Sequence, residues 1–528
     1  MKKLICLLLA LAMLTGCAAG PVETTGATET TGPVQTTAPA ADGEVLIRLA
    51  DEGVEFPENS GVHVANDIIY YEAGHGEDYG EGEAWEAHTP EEAAAHTVVH
   101  ITRPGVYRLT GQLSLGQIAV DLGENAKDDP TAAVVLILDN AQIICRVAPA
   151  VIFYHVYECG QPDAAAGASV LLADGSNNRI VGSHVAKIFK PGTDEKLHKY
   201  DGAFYSRMSM KLDGAGKLRI EADNEGLDSE MHLTIDGGEI YIESGNDGIN
   251  TNEDGVSVTT VNAGFLRIDV AGTTGEGDGI DSNGWLIING GRVEAYAWGE
   301  SMDSGIDADM GIQINGGEVV ATGNMLDRIE DGGQTYAVFS FAKPQEGLHY
   351  TLKDQWDSPV LEAQTSNAFT SLLLSSPKLT EGTYTLWSGE TQFEGLAGPG
   401  GMGGGAFIGP IQPIERPDFP GKGDGDVEIP PQPTQPIVTH GTIQPPPQGD
   451  RPEDMPVAQF PEGGQGQMIV LPMPPEGENM PVPQLPEGVE PPQEGRQPIT
   501  LTPIAGEMTK EFEIKEGGNH FMQVREAE

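Results

Sequence analysis

Four short segments in the middle of the chain share a pattern suited to binding a hard metal ion. They are Glu225-Gly-Leu-Asp-Ser-Glu230, Asp247-Gly-Ile-Asn-Thr-Asn252, Asp278-Gly-Ile-Asp-Ser-Asn283 and Ser304-Gly-Ile-Asp-Ala-Asp309. If the segments stack at strand spacing, about 4.8 Å, then Asp228, Asn250, Asp281 and Asp307 form one outward column. Glu230, Asn252, Asn283 and Asp309 form the next. Carboxylates this close repel, and without a counter-ion some must stay protonated. Ca²⁺ removes the conflict by taking oxygens from carboxylates, amides and backbone carbonyls. Asn250-x-Asn252-x-Asp254-Gly255 adds a loop of the calcium-binding kind, although the position of an EF-hand's closing Glu holds Val261. The candidate ligands are Asp228, Glu230, Asp247, Asn250, Asn252, Asp254, Asp278, Asp281, Asn283, Asp303, Asp307 and Asp309. The competing reading is a ladder that only satisfies turn backbone and solubilises an edge.

A second repeat tells what must hold these segments. Gly216, Gly238, Gly264, Gly291 and Gly317 recur at 22, 26, 27 and 26 residues. Two and four residues after each glycine come apolar pairs: Leu218/Ile220, Ile240/Ile242, Leu266/Ile268, Val293/Ala295 and Val319/Ala321. Such alternation marks strands with one buried face. Asp236, Asn262, Asn289 and Asn315 precede the glycines, as turns with positive φ require. A unit of 22 residues plus insertions, with two glycine-marked turns, cannot close its own core but can stack on copies of itself. The expected fold is all-β, a right-handed parallel β-helix. Gly105-Val-Tyr-Arg-Leu-Thr-Gly111, Val134 to Asp139 and Val170 to Gly182 read as earlier, less regular rungs, and Glu72 to His96 as an insertion.

Arg292, Glu294, Tyr296 and Trp298 alternate with Val293, Ala295 and Ala297, and so should project together. With Trp285 one segment earlier, they could stack on a sugar ring and bond its hydroxyls. Alternatively, these aromatics pack under a loop.

The charge bounds the partners. The 528 residues hold 80 Asp/Glu against 29 Lys/Arg, a net charge of −51. Nucleic acid is excluded, since its binding rests on cations that neutralise phosphate. Residues 220–340 alone carry 24 acidic and 3 basic side chains.

The ends suggest export. Lys2 and Lys3 precede an apolar run too short to span a bilayer, which closes in Leu14-Thr15-Gly16-Cys17. This resembles a bacterial lipobox, with Cys17 lipidated; the alternative is a plain secretory peptide. The boundaries expected are a signal peptide at 1–17, a flexible tether at 18–43 and a carbohydrate-binding β-helix at 44–331. A small β domain at 332–396 plus 506–527 would follow, interrupted by a disordered segment at 397–505, where 25 of the 38 prolines fall. Cys145 and Cys159 are either a disulfide permitted by export or two separate half-buried thiols.

From about Val98 to Gly323 the chain resembles the carbohydrate-binding β-helix domain of clostridial and related surface proteins. The shared marks are Gly105-Val-Tyr-Arg-Leu-Thr-Gly111, Gly116-Gln-Ile-Ala-Val-Asp121 and the repeated Asp-Gly-Ile and Asn-Gly-Gly units. The resemblance implies a fold like that of calcium-dependent pectate lyases, bound calcium, and affinity for cellulose-like or acidic plant polysaccharide. A lyase would need a strong base beside the metal. No Lys occurs from Arg219 to Ala342, which leaves Arg267, Arg292 and Arg328. A binder is therefore favoured over a lyase, with an adhesin or spacer as the third reading. The expected protein is a monomer on the outer face of the bacterial membrane, held there by its lipid alone.

Overall fold

The computed structural model describes residues 43–68, 90–162, 165–183, 185–189, 196–397 and 507–527. The signal peptide with Cys17, most of the tether, most of the Glu72–His96 insertion and nearly all of the Pro-rich segment lie outside the described residues.

Strands dominate, and most pair in parallel. Eight strands form a first sheet in the order Val62–Ala65, Thr97–Ile101, Gly116–Asp121, Val151–His155, Gly202–Ser206, Glu225–Ser229, Ile249–Thr251, Ile280–Ser282. The last three carry the Asp-Gly-Ile segments, so we call this the motif sheet. Each repeat then contributes two more strands to a larger sheet. Leu233–Ile235, Val258–Val261, Trp285–Ile288 and Gly311–Ile314 pair in register as a second stack. Lys217–Ala222, Glu239–Ser244, Phe265–Val270, Arg292–Tyr296 and Glu318–Gly323 form a third. The chain visits the three stacks in turn. The spacing argument accounts for only two strands per repeat, because the second-stack strands are three or four residues long and lie between polar turns.

The period-2 apolar residues meet inside. Leu227, Ile249, Ile280 and Ile306 from the motif segments pack with Leu218, Ile220, Ile240, Ile242, Leu266 and Ile268 in one buried core. Full burial of each such side chain is worth about 1.5–3 kcal/mol, so a short rung is held by its neighbours above and below.

The two kinds of repeated glycine do different work. Gly238, Gly264, Gly291 and Gly317 have φ between +76° and +93° and are turn residues. The glycines of the Asp-Gly-Ile segments are not: they allow close stacking. A Cβ on Gly226 would lie 2.5 Å from the carbonyl oxygen of Gly248, one on Gly248 2.6 Å from that of Gly279, and one on Gly279 2.3 Å from that of Gly305.

Before the turn glycines stands an amide ladder. Asn262 donates to Asp236 at 2.7 Å, Asn289 to Asn262 at 2.8 Å and Asn315 to Asn289 at 2.8 Å. Each amide is both donor and acceptor, so the row is satisfied rung by rung. Asn289→Ala breaks two of these exposed bonds and should lower stability by about 1 kcal/mol, read as a shifted urea midpoint with unchanged m-value.

Beyond the last repeat, Tyr336–Gln345, His349–Asp354, Pro359–Gln364, Phe369–Ser375, Gly382–Ser388, Thr391–Ala397, Phe512–Ile514 and Gly518–Glu526 surround their own aromatic core. Phe369–Ser375 runs antiparallel to Glu318–Gly323, the last strand of the third stack. Cys145 and Cys159 are free thiols rather than a disulfide. Cys145 is buried, which pushes its pKa up to about 12.

Candidate functional site

The acidic segments run along the motif sheet, but they do not form the expected outward column: Glu225, Asp228, Asp247 and Asn250 are buried, while Asp281 and Asp307 are half-buried. Asp228 pairs in register with Asn250, and Asn250 with Asp281. A bridge from Ile280 to Ile306 brings Asp307 into the same row. The first rungs neutralise themselves with amides. Asn250 donates to Glu225 at 2.9 Å, Asn252 to Asp228 at 2.7 Å, and Asn283 to Asp254 at 3.2 Å. Tyr205 donates to Glu230 at 2.8 Å.

Higher on the stack, Asp replaces Asn and the relief ends. Asp247 accepts the backbone N–H of Asp278, and Asp278 accepts that of Ser304. Asp303 accepts from Gly277 N–H and the Ser301 hydroxyl. Among the described residues no Lys or Arg forms an ion pair with Asp247, Asp278, Asp303 or Asp307. Burial, reinforced by Asp281 and Asp303, raises Asp247 to about 8. Burial, with Asp247 and Asp307, raises Asp278 to about 10. Burial, with Asp327 and Asp281, raises Asp307 to about 7. Asp228 also lies well above the carboxylate range through burial and the nearby Glu225 and Glu230. Asp309 is exposed beside this row.

Three oxygens here are buried without a hydrogen-bond partner: Asp228 Oδ2, Asn250 Oδ1 and Asp307 Oδ1. They are acceptors, as a divalent cation requires. Among the described residues no group of three or more His, Cys, Asp or Glu side chains stands arranged to hold a metal ion. A cation would therefore have to recruit amide and backbone oxygens as well. Of the twelve candidate ligands, Glu230, Asn250, Asn252, Asp254 and Asn283 share amide or hydroxyl hydrogen bonds with Asp228, Glu225 or Tyr205 or with each other. Asp247, Asp278 and Asp307 instead pair with no Lys or Arg among the described residues, and Asp281, Asp303 and Asp309 lie beside them.

The expected aromatic platform is not an open surface. Tyr296 is fully buried in the core of the small β domain, together with Val320, Phe339 and Leu372. Glu294 is buried and binds Arg267 and Arg292. Arg292 also reaches Glu318 and the carbonyl of Glu362, and Arg267 reaches Asp269 and the carbonyl of Gln364. Asn367 donates to the carbonyls of Val270, Tyr296 and Ala297. The strand does project these side chains together, but the small domain sits on them. Trp285 belongs to the second stack and packs beside Gly311, while Trp298 lies over Gly272. Tyr296 is thus packed, under the small domain rather than under a loop, while Trp285 and Trp298 are half-buried.

Neither guanidinium suits a base beside a metal. Burial opposes their charge, yet the bonded carboxylates outweigh it and hold both above the ordinary arginine value. Both also sit on the third stack, away from the motif sheet.

The motif sheet holds polar residues that the repeat pattern does not reveal. Asp121 accepts from His155 Nδ1 at 2.8 Å, and Arg207 lies 3.2 Å from the other ring nitrogen, which can accept in that tautomer. The Arg207 guanidinium stands 4.6 Å over the ring of Tyr154. Asp121 pairs with His155 in register, and Arg207 follows Ser206, whose partner Ser229 precedes Glu230. This row continues into the acidic columns. These early rungs lack the Asp-Gly-Ile signature, and only the pairing register connects them.

The site is thus a partly buried acidic row along one sheet of a stack of parallel strands. Residues 95–340 match the family described as carbohydrate-binding domain-containing protein. A carbohydrate-binding domain-containing protein of Acetivibrio thermocellus is 30% identical over 148 residues, which are 28% of this chain and 45% of that protein. The chain thus spans about half the length of this curated relative. The solved polysaccharide lyase-like protein from C. thermocellum, a gadolinium derivative, is similar at 20% identity and a TM-score of 0.35, over 52% of this chain and 90% of that one.

Proposed function

We propose that the chain is a lipid-anchored, calcium-stabilised carbohydrate-binding protein of the bacterial cell surface, and that its ligand is acidic plant cell-wall polysaccharide. The three stacks are read as a right-handed parallel β-helix with the glycan along the outer face of its motif sheet. The family match over residues 95–340 supports carbohydrate as the ligand. The observation that carries the calcium reading is the row Asp247, Asp278 and Asp307, buried or half-buried carboxylates that pair with no cation among the described residues. Ca²⁺ held there would cancel the local negative charge and could bridge to a uronate. Arg207 and Tyr154 offer an anion contact and an aromatic face on the same sheet. Cys17 supplies the anchor in this reading.

The chain should be retained on insoluble pectin with millimolar calcium and released by chelator, as read by pull-down. Retention on no acidic glycan in calcium would refute the reading. Release of unsaturated uronate, measured by ultraviolet absorbance, would instead establish a lyase.

A further inference from the structure

The small β domain carries a feature that the acidic ladder does not explain. Trp356 is 76% exposed, the most exposed large apolar side chain among the described residues. It stands at the tip of the turn joining His349–Asp354 to Pro359–Gln364, and this turn is built to hold it. Asp354 accepts the backbone N–H groups of Trp356 and Ser358, each at 2.9 Å. Asp357 adopts the left-handed conformation at φ 62°, and Lys353 bonds its carboxylate at 3.0 Å.

A second indole lies close by. Gly382–Ser388 pairs antiparallel with His349–Asp354, so that Trp387 faces Thr351 and Thr385 faces Lys353. The Lys353 ammonium stands 4.8 Å over the ring of Trp387, whose Nε1 donates to Thr385 at 2.8 Å. Lys353 therefore links the half-buried Trp387 to the Trp356 turn. Tyr350, Leu352 and Leu386 point the other way, into the core, so Trp387, Lys353 and Thr351 share the outer face.

We infer that Trp356 and Trp387 form a second carbohydrate-binding surface, on the small β domain, for a neutral polysaccharide and independent of calcium. The choice of sugar as the partner class rests on the carbohydrate reading of residues 95–340; the site itself lies outside that match. An indole presents a broad apolar face on which the C–H face of a pyranose stacks, and it loses little conformational entropy in doing so. Lys353 and Asp357 border the rings with a donor and an acceptor for hydroxyls. The charge selects against acids: Lys353 is matched by Asp357, Asp354 is left over, and the chain carries −51 overall. No carboxylate cluster here calls for a cation.

The test uses the full chain on insoluble cellulose as the neutral polysaccharide and on phosphatidylcholine vesicles as a lipid surface, both in EDTA, with a separate arm on insoluble pectin in millimolar calcium. The expected result is retention on cellulose that Trp356→Ala lowers by roughly tenfold or more, as loss of an anchoring aromatic does. Trp387→Phe should weaken it less, since it keeps part of the stacking face. Calcium-dependent retention on pectin should be unchanged in both variants. No retention on cellulose in EDTA, or retention indifferent to both substitutions, overturns the proposal. So does a vesicle affinity that disappears with Trp356 while cellulose is ignored, which would make the indole a membrane contact. Pectin binding reports on the acidic ladder alone, so failure of that reading is seen separately.

Discussion

Stripping calcium from the purified chain should lower its melting temperature, and the loss should deepen as pH rises from about 4 to 8. A ligand held only by the folded state at a hundred times its Kd contributes about 2.7 kcal/mol. For a domain of this size that is on the order of 5–10 °C. The pH dependence follows from protonation. Asp307 titrates at about 7, Asp247 at about 8 and Asp278 at about 10 in the folded chain. In the unfolded chain all three titrate near 4. Between those values the folded state holds more protons than the unfolded state. The stability contribution is therefore complete below about pH 4 and declines as pH rises through 7 and 8. Calcium takes the place of those protons and should flatten the decline. Asp278→Asn separates the effects: in chelator it should raise the melting temperature at pH 8, because one buried charge is gone. In calcium it should reduce the calcium-induced gain. Differential scanning calorimetry at pH 5 and 8, with and without chelator, reads all four states. Identical melting curves with and without calcium would remove the ion from the account.

Gly248→Ala should be strongly damaging. The added Cβ would meet the Ile268 methyl at 2.1 Å and the Gly279 carbonyl oxygen at 2.6 Å. The obstacle is partly backbone of the next rung, which cannot rotate away, so two stacked strands must part. Overpacking of a well-filled interior costs about 1–3 kcal/mol and occasionally more, and here the upper end applies. Gly389→Ala is the control: nothing lies within 4 Å and only its φ of +57° is strained, a cost of about 1 kcal/mol. Chemical denaturation of the two variants should differ by about 2 kcal/mol. Equal midpoints would mean that the motif glycines are not held by close approach.

The repeat could be read from one dimension because its chemistry is periodic. Apolar residues two apart, a glycine at positive φ and an Asn before it each recur at a spacing that only stacking explains. The register that places Asn250 beside Asp228 and Asp281 follows from the same count. What escaped was non-periodic. Tyr296 alternates outward on its strand, and nothing near it in sequence says that residues some 70 positions later cover it. The second-stack strands escaped because strands of only three or four residues, each closed by Asp236, Asn262, Asn289 or Asn315, look like parts of turns. Asp121, His155 and Arg207 escaped because the early rungs vary in length, so no constant spacing joins them. Trp356 gives no sequence signal beyond being a tryptophan; its turn and its exposure exist only in three dimensions.

The antiparallel strand at the end of the third stack has a consequence for assembly. A pile of parallel rungs exposes at each end a row of unpaired N–H and C=O groups, a template on which another copy could continue the pile into a fibre. At one end Phe369–Ser375 occupies that row running the opposite way, Ser375 against Val319 through Ser371 against Gly323. At the other, Glu44–Leu49 covers Gly105–Leu113, and Val62–Ala65 lies antiparallel on Thr97–Ile101. A newcomer at the far end meets a strand of the wrong polarity that is already committed to a second core. The third stack thus ends in a strand already committed to a second core, and it offers no free parallel edge there on which a further rung could extend it.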